Sequence, residues 1–310
     1  MNTVSLFSGI GGLDQGFTSA GYRIIWANDS DKFAVQTYRA NHHSPIVLGD
    51  INAIPLENIP DHDVLIGGFP CQPFSMMGGG LGFEDARGTL FFRIAEIIEA
   101  KIQAGRKPRA IVLENVRSLR THNRGKTFSV IANILEKDLG YVLYPMVLNS
   151  ADYGVPQTRN RTFIVCFSNP QAVFSVPETV PLKQKLSDLL EHDVPEKYFL
   201  SERILPTILS NGTGGYNAKS EIDLQVARPL CATMGKMHRA CQDNYVTQNG
   251  RIRRLTPREC ARLQGFSDDF VIPVSDAQAY KQFGNAVTVN VAHAVAREVR
   301  KTLEKFGEWR

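Results

Sequence analysis

Three short segments carry residue types able to do covalent or proton chemistry, and each follows an apolar run. The first is Gly67-Gly68-Phe69-Pro70-Cys71-Gln72-Pro73-Phe74-Ser75. A cysteine thiolate is a strong nucleophile once its pKa is lowered. Cys71 sits where an apolar strand ends, the position at which open α/β sheets place ligands. Buried, inert packing is the alternative for any cysteine. Gly78, Gly79, Gly80 and Gly82 follow it and suggest a loop that closes over a substrate. The second segment is Leu113-Glu114-Asn115-Val116. A carboxyl at a buried strand end loses hydration and holds its proton more tightly, which suits hydrogen bonding to a base edge. A helix-capping or salt-bridged glutamate is the bland alternative.

The third segment is Phe7-Ser8-Gly9-Ile10-Gly11-Gly12-Leu13-Asp14-Gln15-Gly16, after a strand and opening a helix. Gly9, Gly11 and Gly12 allow a tight turn and close approach of a ligand to the helix N-terminus. Asp29 ends the next strand, placed to accept hydrogen bonds from ribose hydroxyls. Asp50, after Ile46-Val47-Leu48, is within reach of an adenine amino group in such an arrangement. Together they predict an adenosine-type cofactor and leave NAD, FAD and S-adenosylmethionine unseparated.

The elements that must position these residues follow from periodicity. Short apolar runs at Val4–Phe7, Arg23–Ala27, Asp63–Gly67 and Ala110–Leu113 alternate with helical stretches at 10–20, 31–40, 85–103 and 125–138. That pattern predicts a parallel sheet covered on both faces. Tyr141–Leu148 and Arg161–Phe167 have no helix between them and predict an antiparallel pair at the sheet edge. From Pro170 to Asp269 prolines and Asn211-Gly212-Thr213-Gly214-Gly215 predict a small loop-rich domain, before a final helix bearing Val287, Val291, Val295, Val299 and Leu303.

Composition sets the outer bounds. The 310 residues are 43% hydrophobic and 21% charged, ordinary for a globular protein. No apolar run is long enough for a membrane span. The N-terminus lacks the basic and apolar regions of a secretory signal. Five scattered cysteines without a CxxC pair argue against zinc or other metal and against a disulfide framework, so a reducing cytoplasm is expected. A net charge of +4 is only mildly suggestive of nucleic acid.

The ordered set of Phe7-Ser8-Gly9-Ile10-Gly11-Gly12, Pro70-Cys71-Gln72, Glu114-Asn115-Val116, Gln157-Thr158-Arg159-Asn160-Arg161, Arg254-Leu255-Thr256-Pro257-Arg258-Glu259 and Gly284-Asn285-Ala286-Val287 closely resembles the DNA (cytosine-5)-methyltransferases of bacterial restriction–modification systems. The resemblance spans roughly residues 3 to 300. It implies an α/β fold, a Rossmann-like S-adenosylmethionine-dependent methyltransferase sheet with a small loop-rich target-recognition domain. The expected catalytic domain is 1–180 completed by 275–310, with target recognition and hinge in 181–274.

By the same resemblance, Cys71 adds to carbon 6 of a cytosine flipped from duplex DNA, Glu114 engages ring nitrogen 3, and Arg159 and Arg161 lie near the base. Phe7, Asp29, Asp50 and Asn285 match cofactor-binding positions, Asp29 standing where the family often has glutamate. A cognate restriction endonuclease, acting on the same site without a stable complex, is the implied companion. Thr233-Met234 looks like a short recognition signature, with Lys236, His238 and Arg239 as candidates for base edges. Arg254 belongs to a stretch, 228–262, whose cations Arg228, Lys236, Arg239, Arg251, Arg253, Arg254, Arg258 and Arg262 face only Asp243 and Glu259. That imbalance predicts phosphate contacts. Met77 or the 211–216 loop is expected to fill the gap left by the base. An RNA methyltransferase, an inactive DNA-binding protein and a nicotinamide or flavin oxidoreductase are the competing readings.

Overall fold

A computed structural model of the chain describes residues 1–70, 90–210 and 221–309. It contains two compact units, one of Met1–Leu148, Asn160–Glu178 and Ala292–Arg310, the other of Asn149–Arg159 and Thr179–Val291. This division differs from the sequence expectation at three places. Residues 149–159, 179–180 and 275–291 fall in the second unit rather than with the sheet.

In the first unit the chain runs β1 (Asn2–Leu6), α1 (Gly12–Ser19), β2 (Arg23–Asp29), α2 (Lys32–Asn41), β3 (Ile46–Leu48), β4 (Val64–Gly68), α3 (Leu90–Gln103), β5 (Ala110–Val116), α4 (Lys126–Asn133), β6 (Val142–Asn149) and β7 (Asn160–Phe167). The seven strands are ordered β3-β2-β1-β4-β5-β7-β6. Strands β1 to β5 pair in parallel, and β7 runs antiparallel to β5. The expected edge pair is present as neighbours, with β7 inside and β6 outermost. Val64, Leu65, Ile66, Ile111, Val112 and Leu113 are all fully buried, as central parallel strands covered on both faces require.

The helices stand close to the expected places. Asp31 caps α2 by accepting from the Phe33 and Ala34 amides. Helix α3 buries Phe91, Ile94, Ile97 and Ile98 on one face. Helix α4 continues through a wider π-type turn, Ile134–Asp138, so the single expected helix 125–138 changes hydrogen-bond pattern midway.

Just ahead of β4, His62 is 6% exposed and its Nδ1 lies 2.8 Å from the Pro60 carbonyl. Burial pushes the imidazole down to about 4. The unfolded chain takes up this proton near pH 6.5 and the folded chain only near 4. His62 therefore contributes full stability above pH 6.5, and that contribution falls as the pH drops towards 4, by roughly 3 kcal/mol in all. Denaturant unfolding at pH 7 and 4.5 should show a smaller pH loss for His62→Asn than for the unsubstituted chain.

The second unit contains α5 (Leu205–Leu209), an antiparallel hairpin of β8 (Tyr245–Gln248) and β9 (Arg251–Arg254), α6 (Pro257–Arg262) and α7 (Asp276–Asn285). The hairpin turns at Asn249 and Gly250, both at positive φ (52° and 72°), as a two-residue type I′ turn needs. Last comes α8 (Val289–Lys305), which enters the first unit at Ala292. There it approaches α1 so closely that a Cβ on Gly16 would stand 2.5 Å from that of Ala292. Among the described residues no helix is long and apolar enough to cross a membrane.

Candidate active site

The strand order reverses at β1, which has β2 on one side and β4 on the other. Crossovers leave β1 in opposite directions there, opening a crevice at the carboxyl ends of β1 and β4. The Phe7–Gly12 loop follows β1. Phe69 and Pro70 follow β4, and Cys71 is the next residue in sequence, although Cys71, like Met77 and the 211–216 loop, lies outside the described residues.

The glycine loop is built by its dihedrals and by Asp29. Phe7, Gly9 and Gly11 have φ of 54°, 57° and 85°. The Gly9 amide donates to Asp29 Oδ2 and the Asp31 amide to Asp29 Oδ1, each at 2.8 Å. Asp29 thus braces the loop as well as facing its mouth. A Cβ on Gly9 would meet nothing within 4 Å, leaving backbone open to a ligand. Gly11 is the N-cap of α1 and supplies no capping side chain, so the helix start keeps free capacity for an anion or hydroxyl. Gly12 begins the helix and is buried. Asp50 is exposed, with Oδ1 accepting from the Asn52 amide at 2.9 Å.

Gly11 has a second constraint. An added Cβ would fall 2.1 Å from His42 Nε2, the atom that lies 3.1 Å from the Ile10 carbonyl oxygen. Gly11→Ala is therefore expected to lower stability by about 1–2 kcal/mol through the left-handed backbone alone. Displacement of His42 adds to this, and affinity for an adenosine-type cofactor should fall with it. Thermal unfolding and calorimetric titration of such a cofactor would check both.

A buried network missed in the sequence lies beneath this loop. Asp14 is fully buried, accepting from Ser5 Oγ at 2.8 Å and Tyr38 Oη at 2.9 Å, while Ser8 Oγ reaches Ser5 Oγ at 2.9 Å. Burial raises the Asp14 pKa. The available signal was an aspartate one residue from Leu13 on the buried face of so short a helix.

Glu114 lies near the carboxyl end of β5 beside β4, paired in register with Gly68. In the antiparallel ladder Glu114 opposes Phe163 and Val116 opposes Arg161, so Arg161 sits diagonally from Glu114 on the same face. Arg161 Nε stands 3.1 Å from Glu114 Oε1, with the side chains 20% and 10% exposed. Desolvation was the expected influence on this carboxyl; the structure adds a guanidinium, which stabilises the charged form. The salt-bridged alternative is therefore present in the structure. Asn115 Nδ2 donates to the Phe69 carbonyl at 2.8 Å, fixing the backbone two residues before Cys71. An open hollow of about 730 Å³ is bordered by Val116, Arg117, Arg120, Val147, Asn160 and Arg161.

Arg159 is placed differently from Arg161. It belongs to the second unit, is 1% exposed, and donates to the carbonyls of Leu230, Gly284 and Ala286 at 2.8–2.9 Å. Two of those carbonyls flank Asn285, the exposed last residue of α7. Arg159 therefore holds the backbone that presents Asn285, and the paired-arginine expectation resolves into two separate jobs.

The basic stretch 228–262 is largely neutralised, a correction to the charge reading. Arg253 and Glu259 form a wholly buried pair at 2.7 Å, and Arg239 pairs with Asp243 at 2.7 Å. Carboxylates outside the window take others: Glu221 holds Arg228, Glu196 holds Arg251 and Asp268 holds Arg262. Arg258 donates to the Ser267 and Phe270 carbonyls. A count confined to 228–262 leaves those partners out. Arg239 also donates to Thr233 Oγ1 at 2.8 Å, and Arg254 lies against His238 and over the Tyr280 ring. Burial, with Arg254 nearby, lowers the His238 pKa. Thr233 and Lys236 are exposed.

Comparison with known proteins agrees with this geometry. The family model "C-5 cytosine-specific DNA methylase" matches residues 1–301. The Type II methyltransferase M.NgoBI of Neisseria gonorrhoeae is 43% identical, over 95% of this chain and 92% of that one. M.NlaX of Neisseria lactamica is 40% identical, over 98% of each. In fold, the chain is similar to the Dnmt2 methyltransferase of S. pombe, with a TM-score of 0.80 at 19% identity over 99% of each chain. The chain belongs to the C-5 cytosine-specific DNA methylases and is a DNA (cytosine-5)-methyltransferase.

Proposed function

We propose that the protein takes its methyl group from S-adenosylmethionine and places it on carbon 5 of a cytosine flipped out of a specific duplex sequence, as the modification enzyme of a restriction–modification system. The observation that carries this reading is the Glu114–Arg161 pair at the end of β5, next to the strand that leads into Pro70-Cys71. The restriction–modification role is supported by the Type II methyltransferases among the relatives.

The glycine loop fits an adenosine-bearing donor: Gly9 leaves open backbone, the α1 start lacks a side-chain cap, and Asp29 offers a carboxylate at the strand end. Phe7, Gly9, Gly11, Gly12, Asp29, Asp50 and Asn285 would hold it. When bound, S-adenosylmethionine supplies an electrophilic methyl group. Carbon 5 of cytosine is a poor nucleophile, and the chain's residues remedy that. The Cys71 thiolate adds to carbon 6 while Glu114 hydrogen bonds nitrogen 3, so the electron pair is drawn onto the ring and carbon 5 becomes enamine-like. After methylation, loss of the carbon 5 proton expels the thiolate. Arg161 orients Glu114 and offers donors to the base, whereas Arg159 acts on Asn285 through the backbone. Thr233, Lys236, His238, Arg239 and Arg254 are the proposed DNA-reading set in the second unit.

Radiolabelled methyl donor, presented with duplex DNA of mixed sequence or with tRNA, tests the substrate. Label should enter DNA, and a 5-fluorocytosine duplex should trap a covalent adduct that Cys71→Ser cannot form. Label confined to tRNA, or an adduct surviving Cys71→Ser, would overturn the reading. Mapping of the methylated cytosines gives the recognised sequence.

A further inference from the structure

Directly after Glu114-Asn115-Val116 the chain reads Arg117-Ser118-Leu119-Arg120-Thr121-His122-Asn123-Arg124-Gly125-Lys126, with four cations and no carboxylate. Arg117, Arg120, Arg124 and Lys126 are exposed, while Leu119 anchors the segment in the core at 1% exposure. Among the described residues no carboxylate lies within ion-pairing distance of any of the four. This is the reverse of 228–262, where carboxylates inside and outside the window pair with five of the eight cations.

Local structure adds to the positive potential. Helix α4 starts at Lys126 with no acidic residue in its first turn and no side-chain cap from Gly125. A cation there opposes the helix dipole, so helix stability alone does not account for it. Asn123 and Arg124 hold left-handed backbone, and His122 Nδ1 lies 2.7 Å from Thr127 Oγ1 across the turn. Arg117 and Arg120 border the same hollow as Arg161, the partner of Glu114.

We propose that residues 117–126 form a docking surface for the phosphate backbone of duplex DNA, holding the strand beside the opening at which Glu114 and Arg161 stand. The assignment rests on the methyltransferase reading of that site. It makes the catalytic unit, through Arg117, Arg120, Arg124 and Lys126, a main source of sequence-independent affinity. Such contacts set position and register without reading bases.

Fluorescence anisotropy of a mixed-sequence duplex, titrated with salt, tests this without measuring activity. Each phosphate contact contributes about 0.9 to the slope of log K against log salt. Arg117→Gln/Arg120→Gln and Arg124→Gln/Lys126→Gln should each weaken binding and reduce that slope by about 0.9–1.8. Arg297→Gln/Lys305→Gln removes the same charge from exposed positions on α8 and should leave the slope unchanged. The assignment is overturned if both 117–126 variants, melting like the unsubstituted protein, keep its slope, or if the α8 variant loses as much. Should one variant fold poorly, the other decides. Absence of any salt-dependent duplex binding by the unsubstituted protein would overturn the DNA reading itself along with it.

Discussion

Glu114→Gln is expected to lower the rate of methyl transfer by about 10²–10⁴-fold, the range associated with a group that moves or holds a proton in the transition state. The substitution keeps the side chain's shape and, on the proposed mechanism, at least one hydrogen bond to the base. It removes the charge that Arg161 faces at 3.1 Å, along with the ability to share a proton with ring nitrogen 3. Duplex affinity should change little, since phosphate contacts dominate it. Single-turnover transfer of labelled methyl, run beside anisotropy on the same duplex, separates the two. A loss below tenfold would remove Glu114 from the proton chemistry and leave it as a structural partner of Arg161. Arg161→Ala should follow in the same direction, because it leaves a largely buried carboxylate without this guanidinium.

Arg253→Met should be the most destabilising single change in the second unit, by about 3–5 kcal/mol. Neither Arg253 nor Glu259 has any exposed side-chain surface. Losing the arginine strands the Glu259 charge, which also accepts from the Thr256 and Glu191 amides at 2.8 Å. In Arg253→Met/Glu259→Gln no charge remains to be stranded, and the amide oxygen can still serve one of those donors. Partial recovery is therefore expected, short of full stability. Urea unfolding of the single and double variants reads the difference. Equal stability of Arg253→Met and the unsubstituted chain would mean that the pair contributes nothing net.

The sheet was legible because its strands are short continuous apolar runs and its helices carry one apolar face. Both are local properties of the sequence. The glycine loop, Asp29 and Glu114 were legible for a related reason: each stands at the end of a strand that periodicity locates. The second unit was less so. Its β8–β9 hairpin carries an Asn249-Gly250 turn signal, yet β9 reads Arg-Ile-Arg-Arg, and an arginine at a core position hides the alternation. The carboxylate of Glu259, six residues further on, with Gln248 Oε1 and the Arg254 carbonyl, makes Arg253 an interior residue. Partners outside the counted window explain the other misreading too. Asp268, Glu221 and Glu196 neutralise arginines that looked unopposed, and three backbone carbonyls claim Arg159.

The crossing of the chain between units at 148/149, 159/160, 178/179 and 291/292 also bears on how the molecule is made. Ser150 Oγ and Thr288 Oγ1, 2.8 Å apart within the second unit, are separated by 138 residues. Tyr22 donates to the Ala296 carbonyl across 274 residues within the first. Neither body is complete until the chain has been made at least as far as residue 291. Contacts this remote in sequence slow folding, so a nascent chain must hold an unfinished first unit until α8 arrives. For the same reason the second unit cannot be cut out as one continuous segment. Residues 149–159 and 179–291 would have to travel together, with the β7 strand between them left in place.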